Sequence, residues 1–213
     1  MTVNQTATVK TNSKRGSVAS CSSVGIVPVT FKELWDNFAG EKTPPYNVNG
    51  KAPKGFENQC AIRMSVTMHR VGVKMISFSQ NNIKPEGKAP TLGRIVLNGM
   101  ATATRANEMA KWLNTRPVCG IAAAQNITGE NWKDKVKGRT GIIFFGEYWS
   151  REGESSDSAS GGHIDLWNKD TLTPNWASTL RFTLGIDSFN FFGLYTLSDL
   201  NKAKKILFFE VKL

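Results

Sequence analysis

Three segments in the first half of the chain carry apolar residues at helical spacing. The segment TFKELWDNFAG has four of them at positions i, i+3, i+4 and i+7, namely Phe31, Leu34, Trp35 and Phe38. Thr30 and Glu33 have the spacing of a capping box, and Gly40 is expected to end this helix. A second helix is predicted from about Cys60 to Val71, and a third within TRANEMAKWLNTR.

The spacing of the apolar residues changes in the second half of the chain. Short runs rich in Ile, Phe, Leu and Trp, bounded by Gly, Asn and Asp, are typical of strands. They are TGIIFFGEYW, GHIDLW, STLRFTLG and the C-terminal KILFFEVKL. Helices followed by strands predict an α+β fold, with N-terminal helices packed on one face of a mainly antiparallel sheet.

The first 29 residues are rich in Ser, Thr, Asn and Val and have no helical period. We expect residues 1–29 to form an irregular or mobile arm. The remainder, residues 30–213, is long enough for one substantial core and is predicted to be a single domain.

The chain is strongly basic, with a formal net charge of +10. This charge favours contact with polyanions or acidic surfaces. The basic residues are spread along the chain without interleaved aromatics, so a dedicated nucleic-acid groove is not expected. No run approaches the roughly 18 apolar residues of a membrane span, and the N-terminus lacks the apolar core of a signal peptide. The expectation is a soluble protein made in the cytoplasm.

The three cysteines, Cys21, Cys60 and Cys119, lack the paired spacing of a zinc site and are too few for a disulfide framework. At least one thiol is unpaired within the chain. Cys21 and Cys119 are either two unrelated thiols or a pair that forms in an oxidising compartment. Cys119 borders an apolar segment and is expected to be buried. No metal and no cofactor are expected.

Cys60 stands where a polar loop, EKTPPYNVNGKAPKGFENQ, turns into the second predicted helix. A thiol at a helix N-terminus faces free backbone N–H groups and the positive end of the helix dipole, and both favour the thiolate. The same N–H groups stabilise the oxyanion that forms when sulfur attacks a carbonyl. The alternative interpretation is a structural cysteine.

A cysteine nucleophile is usually activated by histidine, and the chain has two. His69 follows Cys60 by nine residues on the same helix, too far to touch the sulfur, so it is expected to be structural or a cation at the helix C-terminus. His163 opens a strand directly after the polar run SREGESSDSASGG. It is therefore the candidate base, the alternative being a histidine satisfied at a strand end.

A third group should orient the imidazole through its second nitrogen. Asn175, past the turn that contains Asp170, is a candidate on the neighbouring strand. Asp165 lies two residues after His163 and so shares its face of the strand. Strand geometry favours Asn175, because a cross-strand neighbour lies closer than a residue two places along one strand. Asp165 is the alternative.

Four blocks, FENQCAIRMS, RANEMAKWLN, GRTGIIFF and GGHIDLWN, occur in this order. With them the chain resembles the fourth family of type VI secretion amidase effectors over most of residues 30–213. The resemblance implies a papain-like, NlpC-type fold, with Cys60 as nucleophile and His163 as general base. It also implies a substrate, the peptidoglycan stem peptide, cut at the amide between γ-D-glutamate and diaminopimelate.

The resemblance further implies delivery by the type VI apparatus into the periplasm of a target cell, and a cognate immunity protein. Tyr148, Trp149 and Arg151 are candidates to line the cleft, although the two aromatic residues also fit ordinary packing. The chain departs from the family in its N-terminal arm, in a long loop at 150–161 and at Lys169, where a turn glycine is common. The family's acidic third residue aligns best with Asn175.

Two other functions fit the sequence. The first is a papain-like protease or transferase that acts on protein, and the second is a basic module that binds a polyanion without catalysis. Activity on purified peptidoglycan distinguishes the amidase from a protease or transferase that acts on protein. Loss of toxicity in Cys60→Ala distinguishes the amidase from a binding module without catalysis.

Overall fold

Helices precede most of the strands, as the α+β prediction requires. The computed structural model describes residues 27–87, 89–149, 161–173 and 203–213, with backbone alone at 148 and 149. The helices are α1 (Phe31–Asp36), α2 (Cys60–Arg70), α3 (Ala106–Asn114) and α4 (Trp132–Val136). The strands are β1 (Arg94–Leu97), β2 (Met100–Ala103), β3 (Ile121–Asn126), β4 (Arg139–Trp149), β5 (Gly161–Lys169), β6 (Thr171–Leu172) and β7 (Lys205–Val211).

The main sheet has five strands in the order β3-β7-β4-β5-β6, and every pair in it is antiparallel. The long strand β4 lies at its centre. It pairs with β5 from Arg139–Lys169 to Phe145–His163 and with β7 on its other side. The sheet therefore confirms the predicted antiparallel arrangement. Strands β1 and β2 form a separate hairpin, and the predicted strand STLRFTLG lies outside the described residues.

The sheet is buried on both faces. Ile142 and Phe144 of β4 belong to a large apolar cluster that contains residues of α1, α2 and α3. Ile143 and Phe145, which alternate with them, belong to a second cluster with Trp132 of α4. The three predicted helices thus share one cluster, as expected. Helix α4, which was not predicted from the sequence, packs with residues of the opposite face.

The N-terminal signals of the first two helices are confirmed. Thr30 Oγ1 accepts a hydrogen bond from the Glu33 amide, and the Glu33 carboxylate accepts one from the Thr30 amide at 2.8 Å, which completes the capping box. Helix α1 ends at Asp36, before the predicted stop at Gly40. Helix α2 begins at Cys60 and is capped at its C-terminus by Val71.

None of the described helices has the length and hydrophobicity needed to cross a bilayer.

Candidate active site

The loop before α2 is fixed by a buried glutamine. The Gln59 side chain accepts a hydrogen bond from the Tyr46 amide at 3.1 Å and donates one to the Tyr46 carbonyl at 2.6 Å. On the next turn of α2, Arg63 donates to the carbonyl oxygens of Ala39 and Glu41 at 2.5 and 3.0 Å. These bonds hold the polar segment against the helix and define where its first residue stands.

That first residue is Cys60, which carries a free thiol and is 7% exposed. Its sulfur lies 4.0 Å from the Gly162 carbonyl oxygen and is a hydrogen-bond partner of the His163 side chain. The Cys60 amide donates to Asn58 Oδ1 at 3.3 Å. The fold therefore brings Cys60 and His163 together across a separation of about a hundred residues.

His163 lies on β5, opposite Phe145 of β4, and its side chain is almost completely buried. Its Nε2 atom is 3.4 Å from Asp165 Oδ2. This distance is that of a close ion pair, and the two atoms are not aligned as a hydrogen bond. The imidazole thus lies between a thiol on one side and a carboxylate on the other.

The Asp165 carboxylate is itself held in place. Its Oδ1 atom accepts hydrogen bonds from the Leu166 amide at 2.7 Å and from Thr173 Oγ1 at 2.8 Å. Both Asp165 and Thr173 are buried. With Oδ1 occupied, Oδ2 is left facing His163. Thr173 follows β6 directly and has no motif of its own, so sequence inspection missed it.

The environment favours the protonated imidazole. Burial by itself lowers the pKa of His163, because a buried charge loses its hydration. The close polar contacts of the ring with Asp165 and Cys60, and its Coulomb attraction to both, outweigh burial and raise the pKa of His163 to about 10. At neutral pH the ring is therefore an imidazolium facing the sulfur.

Arg63 adds a second cation behind the carboxylate. Burial lowers the pKa of its guanidinium, whereas the negative charges of Glu41 and Asp165 oppose that change. Since an arginine stays charged throughout the accessible pH range, Arg63 places a permanent positive charge near Asp165. In the described part of the site, Asp165 therefore lies between two cations, Arg63 and His163.

Gly162 has no room for a side chain. A Cβ atom there would lie 2.3 Å from Asn107 Oδ1 of α3 and 3.0 Å from the Phe144 ring. The carbonyl of Gly162 is the one that faces the Cys60 sulfur. The glycine before the histidine thus lets α3 and β5 approach closely enough to position both reactive groups.

His69 is excluded from the site. It lies in the last turn of α2, where its Nε2 atom is 2.9 Å from the Ala101 carbonyl oxygen. Burial lowers its pKa, although the bond to Ala101 opposes this. It is thus a structural residue, neutral at pH 7, and the alternative of a helix C-terminal cation is wrong.

Several predicted residues are not placed by the structure. Asn175 and Arg151 lie outside the described residues, and for Tyr148 and Trp149 the structure gives the backbone of β4 alone. Cys119 is buried, as predicted, and is disulfide-bonded, whereas Cys21 lies outside the described residues. Within the described ranges, no group of three His, Cys, Asp or Glu side chains is arranged to hold a metal ion.

Comparison with known proteins points to one family. The family model described as type VI secretion system (T6SS), amidase effector protein 4 (Tae4) matches residues 56–209. No curated protein matches the chain.

Solved structures of effectors with the same name resemble the fold. The type VI effector Tae4 from Enterobacter cloacae is 16% identical, with a TM-score of 0.49 over 88% of this chain and 98% of that chain. A Tae4-Tai4 effector-immunity complex from the same organism is 19% identical, with a TM-score of 0.48 over 88% of this chain and 100% of that chain. A Tae4-Tai4 complex from Salmonella Typhimurium is 21% identical, with a TM-score of 0.41 over 67% of this chain and 84% of that chain.

The matched region contains Cys60, His163 and Asp165, and it spans well over half of the sequence. The chain therefore belongs to the Tae4 family of type VI secretion amidase effectors.

Proposed function

We propose that the protein hydrolyses peptidoglycan stem peptides at the amide between γ-D-glutamate and diaminopimelate, with Cys60 as nucleophile and His163 as general base. The observation that carries this proposal is the buried line of groups from the free Cys60 thiol through the His163 imidazole to the Asp165 carboxylate. Family membership supports the substrate class, because the family consists of amidase effectors.

The mechanism follows from the charges of the site. The Cys60 thiolate attacks the γ-glutamyl carbonyl carbon, and the electron pair of the C=O bond moves to oxygen. When the tetrahedral intermediate collapses, His163 gives its proton to the leaving amine. The neutral imidazole then takes a proton from water, which hydrolyses the thioester and restores the resting pair.

For the third residue we propose Asp165, rather than Asn175, as the group that orients His163. Its Oδ2 atom is 3.4 Å from the ring, and both of its neighbours on Oδ1 hold the carboxylate towards the imidazole. A carboxylate also explains why the His163 pKa is raised, which a neutral amide would do less strongly. Asn175 remains the competing candidate.

Three further properties belong to the same proposal. The architecture is a papain-like, NlpC-type fold, since the thiol begins a helix and the histidine lies on an antiparallel sheet. Residues 30–213 form the amidase domain, and residues 1–29 form an arm. The protein acts in the periplasm of a target cell, and a cognate immunity protein protects the producer, as the complexes of other Tae4 effectors with Tai4 suggest.

The test is digestion of purified peptidoglycan, followed by mass analysis of the released muropeptides. We expect the wild type to release fragments that begin at diaminopimelate, and Cys60→Ala and His163→Gln to release none. His69→Gln is the matched control, because it removes the other histidine from a partly buried position away from the sulfur. Cleavage of protein substrates alone would contradict the proposed substrate, and full activity of Cys60→Ala would contradict the mechanism.

A further inference from the structure

The amide of Cys60 is already occupied in the resting enzyme. This N–H is the one nearest to a carbonyl under attack by the Cys60 sulfur, so the oxyanion must form within hydrogen-bond distance of it. In the structure, Asn58 Oδ1 accepts from this amide at 3.3 Å. The carboxamide oxygen of Asn58 therefore accepts from the N–H that the oxyanion needs.

Two oxygen acceptors compete for one N–H, because both carry negative charge and repel each other. The bond from Cys60 to Asn58 is also long, since amide–oxygen hydrogen bonds centre near 2.9 to 3.0 Å. Asn58 is only partly buried, whereas the neighbouring Gln59 is buried and fixed on both sides by the Tyr46 backbone. The Asn58 side chain can therefore move while the backbone around it stays in place.

A carboxamide resolves this conflict by rotating. The torsion about Cβ–Cγ of asparagine is broad and roughly two-fold, so half a turn exchanges Oδ1 with Nδ2. The same side chain then presents a donor where it had presented an acceptor. We propose that Asn58 is a catalytic residue of the amidase proposed above, on whose validity this inference rests. Its carboxamide oxygen accepts from the Cys60 amide in the resting state, and the carboxamide turns over to donate Nδ2–H as the oxyanion forms beside that amide.

Bonds and electrons balance over this step. The Cys60 thiolate forms the S–C bond, and the carbonyl electron pair becomes an oxyanion that accepts from the Cys60 amide and from Asn58 Nδ2. On collapse the C=O bond forms again, the C–N bond breaks and the amine takes its proton from His163. The oxygen then has little negative charge, and Asn58 Oδ1 returns to the Cys60 amide.

A purely structural role predicts a different outcome. If Asn58 only satisfies a free amide at the start of α2, an aspartate in its place would do so at least as well, because a carboxylate is an equally good acceptor and its charge suits the helix N-terminus. The variant Asn58→Asp therefore separates the two roles. If Asn58 is a helix cap, the aspartate preserves the fold. If Asn58 donates to the oxyanion, the aspartate removes the Nδ2–H donor and places a negative charge beside the developing negative charge of the oxyanion.

The experiment compares Asn58→Asp and Asn58→Ala with the wild type on a soluble stem peptide that contains the γ-D-glutamyl-diaminopimelate bond. We expect Asn58→Asp to lower kcat by about 10² to 10³, as loss of an oxyanion donor does, with KM little changed and the Tm equal or higher. Asn58→Ala should lose less, because it lacks the repelling charge. The exposed Asn47 of the same loop supplies the matched control, Asn47→Asp, which should keep full activity.

Alkylation of Cys60 by iodoacetamide completes the test, since this displacement forms no oxyanion. The rate, followed by mass analysis of the peptide that contains Cys60, should differ little between the wild type and Asn58→Asp at the same pH. A parallel fall in alkylation and hydrolysis would overturn the proposal, because Asn58 would then act on the nucleophile. Unchanged kcat in Asn58→Asp would also overturn it. If Cys60→Ala remains active, the proposed function itself is contradicted. If Cys60→Ala is inactive and Asn58→Asp is fully active, the proposed function stands and only the role of Asn58 is contradicted.

Discussion

Asp165→Asn tests the charge that holds His163 protonated. The substitution keeps the size of the side chain and an oxygen for Thr173 and Leu166, but it removes the negative charge 3.4 Å from the His163 ring. We expect the pKa of His163 to fall from its present value of about 10. Catalysis should fall with it, because less of the enzyme then carries the imidazolium that protonates the leaving amine.

The size of the effect follows from the distance. Two unit charges 3.4 Å apart attract by about 5 kcal/mol at an effective dielectric constant of about 20. Burial of both groups cancels part of this attraction, so we expect the pKa of His163 to fall by about 1 to 3, the usual effect of one nearby charge. The Cys60 charge remains, which keeps the pKa of His163 above its ordinary value. With the pKa lowered by this amount the ring stays at least half protonated at pH 7, so we expect kcat/KM to fall by no more than about twofold at pH 7 and by up to about 10² at pH 9.

The chain offers a simple assay, because it has only two histidines. Histidine labelled with ¹⁵N gives two sets of ring signals, and His69→Gln assigns them. In the wild type, His69 should titrate below pH 6.5, since burial lowers its pKa, whereas His163 should stay protonated until near pH 10. In Asp165→Asn only the His163 curve should move. Asp170→Asn, in the exposed turn after β5, is the matched control.

Two results would refute this account. A His163 pKa near 6.5 in the wild type would show that Asp165 and Cys60 do not outweigh burial. A His163 curve that moves in Asn175→Ala and not in Asp165→Asn would identify Asn175 as the orienting residue.

Three further substitutions test the surroundings of the site. Gly162→Ala places a Cβ 2.3 Å from Asn107 Oδ1, so β5 must shift. We expect kcat for stem-peptide hydrolysis to fall by about 10², while circular dichroism shows an unchanged overall fold. Thr173→Val removes the hydroxyl donor of Asp165 Oδ1 and should lower the free energy of unfolding by about 1 to 3 kcal/mol in urea; no loss would show that the bond is not formed in solution. The pKa of His69 is lower in the folded protein than in the unfolded chain, so the stability present above pH 6.5 is lost as the pH falls through the folded pKa. On acidification the wild type should therefore lose stability relative to His69→Gln. Urea midpoints that change in parallel with pH in the two proteins would contradict this expectation.

The positions of Cys60 and His163 in the fold could be predicted from sequence because each residue carries a local signal. A cysteine directly after a polar loop, at the start of an apolar helical pattern, marks a helix N-terminus, and α2 indeed begins at Cys60. A histidine at the start of a strand after a polar run marks a strand end, and β5 begins two residues before His163. With one histidine ruled out by helix length, the pairing required no knowledge of the topology.

The third residue could not be ranked in the same way. Strand geometry favours a cross-strand neighbour over a residue two places along, because successive side chains on one face are far apart at their Cα atoms. An imidazole ring is long enough to lie along the strand, however, and its Nε2 atom reaches to 3.4 Å from Asp165. The direction of a side chain depends on what packs around it, and the sequence does not contain that information.

The missed elements had weaker or misread signals. The hairpin of β1 and β2 turns at Asn98 and Gly99, both of which have positive φ. An Asn-Gly pair between two short apolar runs is the strongest short-range hairpin signal in a sequence, so this hairpin could have been predicted. Strand β3 has the sequence IAAAQN, whose alanines have little strand propensity, and it forms because β7 provides its hydrogen bonds. Lys169, at a position where a glycine is common in the family, adopts a φ of 61°.

The position of β5 in the sheet explains why the site can exist. Strand β6 pairs only with Trp167 and Asn168, so the part of β5 from Gly161 to Leu166 has no described strand beside it on that side. A helix N-terminus can therefore approach this part of the strand, and the Cys60 sulfur lies 4.0 Å from the Gly162 carbonyl oxygen. We therefore expect that a β6 extended by design, to pair with β5 as far as Gly162, displaces α2 and lowers stem-peptide hydrolysis while the sheet remains intact; unchanged hydrolysis in such a variant would contradict this role of the strand edge.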